Sequence, residues 1–165
     1  MPVRPSIVLA SQDAPLLLTG GLLGVDLAEM QRAGPGRPRI IDLIQQGKLK
    51  YSARDPQERW QTYNQLVAQV RANGIAYGDC EDLATAASAE MRLDSDRWYG
   101  DPGATPHVYR SRPGMLHVVV KSPRFKGLLD PSIAAGMGTE APPPTDLVDA
   151  GIRTGALLGS GGRFR

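Results

Sequence analysis

The chain has 165 residues, 41% of them hydrophobic and 22% charged, which suits one domain with a core of its own. A net charge of +2, with no basic run longer than Arg37-Pro38-Arg39, argues against a nucleic-acid partner. The lack of a long apolar run argues against a membrane span, and a single cysteine excludes an internal disulfide.

Residues 1–39 read as an arm and not as a self-contained unit. The first ten residues have a short apolar stretch and no small-residue cleavage region, so no signal peptide is expected, and synthesis is expected in the cytoplasm. Residues 6–10 suit a short strand. Thr19-Gly20-Gly21 reads as a turn after Pro15-Leu16-Leu17-Leu18, and residues 25–32 as a short helix ended by Gly34-Pro35-Gly36.

The pattern then tightens. Ile40, Ile41, Leu43 and Ile44 predict a short helix stopping at Gly47, and Lys48-Leu49-Lys50-Tyr51 alternates as a strand does. Asp55-Pro56 is a helix start, with Trp60, Tyr63, Leu66, Val67 and Val70 following at helical spacing up to Asn73-Gly74. Tyr77-Gly78-Asp79 reads as a tight turn into an alanine-rich helix from Cys80 to Arg92. After a polar loop around Trp98-Tyr99 come two strands either side of Arg112-Pro113-Gly114, and a third strand over 125–130. Helices followed by an antiparallel meander predict an α+β fold.

From Gly136 onward, glycine and proline make up 10 of the last 30 residues. Leu147, Val148, Ile152, Leu157, Leu158 and Phe164 are strung out between them. Fixing each backbone residue costs roughly 1–2 kcal/mol. Such a tail is expected to order only on a surface supplied largely by other chains.

Chemistry concentrates in Gly78-Asp79-Cys80-Glu81-Asp82. The thiolate is the nucleophilic form of cysteine, and a helix N-terminus favours it through unpaired N–H groups and the helix dipole. Asp79 is placed to cap that helix. Asp79, Glu81 and Asp82 work the other way, because negative neighbours raise a thiol's pKa. His117 lies in the valine-rich strand and shares a face with Met115, Val119 and Lys121. Asp130 closes the next strand and is placed to hold one histidine nitrogen and set the tautomer. Nucleophile, base and orienter in that order suit acyl transfer, which needs no metal and no cofactor. Each residue alone has an ordinary use: a lone cysteine packs as a small hydrophobe, a strand histidine is structural, and Asp-Pro-Ser opens turns.

Taken together, Gly78-Asp79-Cys80-Glu81-Asp82-Leu83-Ala84, His117-Val118-Val119-Val120 and Asp130-Pro131-Ser132 resemble the three motifs of the transglutaminase-like superfamily of papain-fold cysteine enzymes. The resemblance covers residues 51–137. It implies a helix with an N-terminal cysteine packed on a small antiparallel sheet, catalytic roles for Cys80, His117 and Asp130, and thioester chemistry on amides. With Lys50-Tyr51, Trp60 and Gly136-Met137, the chain is similar to small transglutaminase-like proteins encoded among tailed-phage virion genes. That likeness implies a virion component of the head, head–tail junction or tail, made in the host cytoplasm and present in multiple copies. Its parts would be an N-terminal arm at 1–39, a core at 40–137 and a C-terminal arm at 138–165, with both arms touching other virion proteins. Oxyanion-hole candidates are Gln65, Gln69 and the Cys80 backbone N–H. A non-catalytic assembly protein and a stand-alone cysteine peptidase or amidase remain as alternatives.

Overall fold

The computed structural model describes residues 14–53, 59–112 and 115–138. The expected strand at 6–10, the Asp55-Pro56 helix start, the Pro113-Gly114 turn and the tail beyond 138 lie outside those residues. The fold is α+β, with five helices and two small sheets among the described residues.

Helix α1 (Ala14–Ala33) runs straight through Thr19-Gly20-Gly21, so the expected turn is not there. Interior glycine costs roughly 1 kcal/mol against alanine. Tertiary packing outweighs that here. Thr19, Leu22, Leu23, Asp26 and Met30 are buried along one face, while Gly20, Gly21 and Gly24 lie exposed on the other. The Thr19 hydroxyl donates to Leu16 O at 3.0 Å, staying within the helix. Because α1 packs on α4 (Cys80–Leu93) and α3 (Tyr63–Asn73), residues 14–33 belong to the core although they read as part of an arm.

Two acidic residues on α1 hold the start of α3. Asp26 Oδ1 accepts from Tyr63 N–H at 2.7 Å, and Glu29 accepts from Asn64 N–H at 2.8 Å and from the Thr62 hydroxyl at 3.1 Å. Carboxylates placed there satisfy orphan N–H groups and complement the helix dipole. This cap explains why α3 begins at Tyr63, leaving Trp60 outside the helix. Gly74 ends α3 with φ 75°, a left-handed conformation that suits glycine.

Helix α2 (Ile40–Gln45) is capped in the same way by Glu90 of α4, whose carboxylate accepts from the Ile40 and Ile41 N–H groups. Strand β1 (Leu49–Tyr51) pairs in parallel with β2 (Ala76–Gly78), and α3 serves as the crossover. Tyr77-Gly78 is therefore strand and not turn, and β2 runs directly into α4. Helix α4 is buried at almost every position from Cys80 to Met91, its alanines letting neighbours approach closely. The second sheet orders β3 (Thr105–Arg112), β4 (Met115–Ser122) and β5 (Gly127–Leu129) as an antiparallel meander, followed by the short α5 (Pro131–Ala134). Val118, Val120 and Leu129 join the main core with α4, while Val119 and Leu128 pack with Tyr109. No described helix is long and apolar enough to cross a membrane.

The buried caps have a pH signature. Burial pushes the Asp26 and Glu90 carboxyls up to about 7, against the N–H groups that each accepts. A carboxyl with a raised folded pKa stabilises the fold fully below its unfolded value near 4 and loses that contribution as pH rises through 7. The melting temperature should therefore fall between pH 5 and pH 8. Asp26→Asn keeps an acceptor for Tyr63 N–H without the ionisation, so its thermal melts should show a shallower fall over that range. A slope equal to that of the wild type would mean that Asp26 is already ionised in the folded protein.

Candidate active site

Asp79 caps α4, with its side chain accepting from Asp82 N–H at 3.2 Å while Asp82 Oδ2 accepts from Asp79 N–H at 3.4 Å. This reciprocal cap places Cys80 at the first helical position. Asp82 is buried and Asp79 half-buried; desolvation pushes both carboxyls up, the charge of Asp82 adds to the rise of Asp79, and that of Glu81 adds to both. Gln61 steadies the arrangement. Its backbone N–H donates to Asp82 Oδ1 at 2.7 Å, and its amide donates to Tyr77 O at 2.8 Å and Asp82 Oδ2 at 3.0 Å.

The thiol lies at the edge of β4. Strand β5 ends with Leu129 opposite Val120, so Val118 lies beyond the end of that ladder, and its backbone is among the groups that act on the Cys80 thiol, in the direction of the thiolate. Cys80 and Val118 belong to the same buried core, and Val118 follows His117 directly on β4. His117 and Asp130 form a buried pair, Nε2 to Oδ2 at 2.7 Å, each residue only 4% exposed. Asp130 Oδ1 accepts from Ser132 N–H at 2.9 Å and Ile133 N–H at 3.4 Å, capping α5. Tyr109, opposite His117 on β3, meets the imidazole edge-on with ring centroids 5.5 Å apart. With Nε2 held by Asp130, Nδ1 is the nitrogen left to exchange a proton.

The thiol's own hydrogen bond goes to Glu81 Oε2 at 3.0 Å, not to the imidazole. Burial, then the charge and the hydrogen bond of Glu81, push the Cys80 thiol well above its ordinary range; the Val118 backbone opposes them and loses. The helix terminus does not win either. Cys80 rests as a protonated thiol, and the acidic neighbours have the effect expected of them.

The glutamines proposed as oxyanion donors have other partners. Gln65 Oε1 accepts from Thr62 N–H at 2.9 Å at the start of α3, and the Gln69 amide donates to Gln61. The Cys80 backbone N–H stays a candidate, because the Asp79 side chain takes the N–H of Asp82 instead. Two residues went unassigned in the sequence. Gln61 lies just before α3 and reaches Asp82 across a sequence separation of 21 residues. Tyr51 reaches the site only through parallel pairing with Gly78, which no local pattern announces. Among the described residues no cluster of His, Cys, Asp and Glu is suited to a metal ion. Comparison of the chain with protein-family models, with curated proteins and with solved structures finds no match.

Proposed function

We propose that this chain is a thiol-dependent acyl-transfer domain of transglutaminase-like type, acting on amides by cleavage or transamidation. The reading is carried by one arrangement: a buried His117–Asp130 pair, with His117 on β4 directly before Val118, whose backbone acts on the thiol of a helix-start cysteine. Asp130 holds the Nε2 proton, leaving Nδ1 to take the thiol proton once Glu81 lets go of it. The sulfur then bonds to the carbonyl carbon, the amine leaves with the proton from Nδ1, and water or a second amine releases the acyl group from sulfur.

The biological setting in this proposal is a tailed-phage particle, at the head, the head–tail junction or the tail. Its support is the motif resemblance described above, and the segment 138–165 would contact neighbouring virion proteins. Proteomic identification of the chain in purified particles tests that placement. The Glu81 hydrogen bond favours a second reading, in which the fold is kept as a structural virion part without turnover.

Acylation by nitrophenyl acetate separates the two readings. The wild type should gain one acetyl group on Cys80, seen by mass spectrometry, and Cys80→Ala should gain none. Glu81→Gln removes one negative charge and weakens the clamp, and it should acylate roughly tenfold faster. If neither the wild type nor Glu81→Gln is acylated, the catalytic reading fails and the structural one stands.

A further inference from the structure

We propose that the Tyr51 phenol is the side-chain donor of the oxyanion hole, working beside the Cys80 backbone N–H. The assignment rests on the acyl-transfer reading above. Acylation forms a bond from sulfur to the carbonyl carbon, moves the thiol proton to His117 Nδ1 and shifts the carbonyl electron pair onto oxygen. Collapse restores the carbonyl and expels the leaving group. The transient negative oxygen needs donors fixed in advance, and one backbone N–H is half of the usual pair.

Three observations lead to Tyr51. Its backbone is held between the two segments that deliver the site. Tyr51 pairs with Gly78, two residues before Cys80, and its N–H donates to Ala135 O at 2.9 Å, just after the Asp130 turn. The Ser52 N–H donates to Gly78 O at 2.9 Å and fixes the register.

Side-chain direction follows from the same pairing. Paired residues of a parallel ladder project to the same face of the sheet. A Cβ at Gly78 would lie 3.2 Å from Asp82 Cβ and 3.4 Å from Leu83 Cδ2, so that face looks onto the first turn of α4. Tyr51 projects on this side, and Gly78 leaves room beside it. Burial first, and then its electrostatic interaction with Cys80, Asp79, Glu81 and Asp130, push the phenol up to about 12. It therefore stays a neutral O–H donor across the range in which a thiol enzyme works, and Tyr51 is only half-buried and accessible to substrate.

The competing side chains are committed elsewhere. Gln61 gives its two amide hydrogens to Tyr77 O and Asp82, Gln69 donates to Gln61, and Gln65 belongs to the α3 cap.

The test compares two reactions of the same sulfur in the full-length protein. Nitrophenyl acetate forms an oxyanion on the way to the thioester. Iodoacetamide alkylates by displacement of iodide and forms none. Tyr51→Phe keeps the ring and removes the donor, so acetylation of Cys80 should slow roughly a hundredfold, while alkylation stays within about twofold of wild type. Equal slowing of both reactions would place Tyr51 on the thiol and overturn the assignment. Unchanged acetylation in the variant, with a reactive wild type, would also overturn it while leaving the acyl-transfer reading intact. A wild type that alkylates but does not acetylate would remove the acyl-transfer reading and this assignment with it.

Discussion

Asp130→Asn should slow acylation of Cys80 by about ten-thousand-fold while the protein stays folded, by analogy with the loss that follows from a wrong histidine tautomer. Asp130 does two jobs with two oxygens. Oδ2 meets His117 Nε2 at 2.7 Å, and Oδ1 accepts the N–H groups of Ser132 and Ile133. The two backbone donors fix which way the asparagine amide turns. Its oxygen must face Ser132 and Ile133, because the NH2 group there would set donor against donor. The NH2 group then points at Nε2 and requires an acceptor, which moves the imidazole proton to Nδ1. A histidine with Nδ1 already protonated cannot take a proton from the thiol. The cap on α5 survives, so the stability cost is about 1 kcal/mol, a fall in melting temperature of roughly 2–4 °C for a chain of this size. Paired measurement of acetylation rate and thermal melting checks both halves. An Asp130→Asn protein that acetylates within tenfold of wild type would show that the His117–Asp130 pair serves packing alone.

The parts of this site that could be read from the sequence are those set by neighbouring residues. Asp79 before Cys80 announces a capped helix start, and Asp130-Pro131-Ser132 announces a turn whose carboxylate faces its own backbone. His117 could be placed on a strand by the valines that follow it. What could not be read depends on partners distant in the chain. The glycines of α1 signal a break by local propensity, yet α4 supplies enough buried surface to hold the helix together. Tyr77-Gly78 looks like a turn until β1, more than twenty residues earlier, is seen to pair with it. Gln65 and Gln69 have the right chemistry for an oxyanion hole, but α3 starts at Tyr63 and turns both to other bonds. The acidic residues around the thiol were legible as a charge effect; that Glu81 accepts the thiol's hydrogen bond depends on its rotamer.

Gly100→Ala should be among the most damaging single methyl additions in the described fold. Gly100 is buried in the loop that follows α4, where its N–H donates to Arg97 O at 3.0 Å. A Cβ there would sit 2.0 Å from Asp94 O, 2.6 Å from Ser95 Cα and 2.7 Å from Asp94 C. All three are backbone atoms, so no side-chain rotation relieves the overlap and the loop itself must move. That loop ties α4 to two other regions. Asp94 pairs with Arg37 at 2.7 Å and accepts the Tyr99 hydroxyl at 2.9 Å, while Asp101 accepts from Ser122 and from Arg124 N–H at 2.9 Å. Moving the loop strains both sets, and the cost should reach about 3 kcal/mol, a fall in melting temperature of roughly 6–12 °C. Gly34→Ala is the matched control. It meets nothing within 4 Å but sits at φ 77°, so only the backbone penalty of about 1 kcal/mol applies. Gly100 lies past the far end of α4, about 20 Å along the helix from Cys80. Below its melting temperature the Gly100→Ala protein should therefore acetylate at the wild-type rate. Equal melting temperatures for Gly100→Ala and Gly34→Ala would show that the loop yields freely and does not anchor the helix.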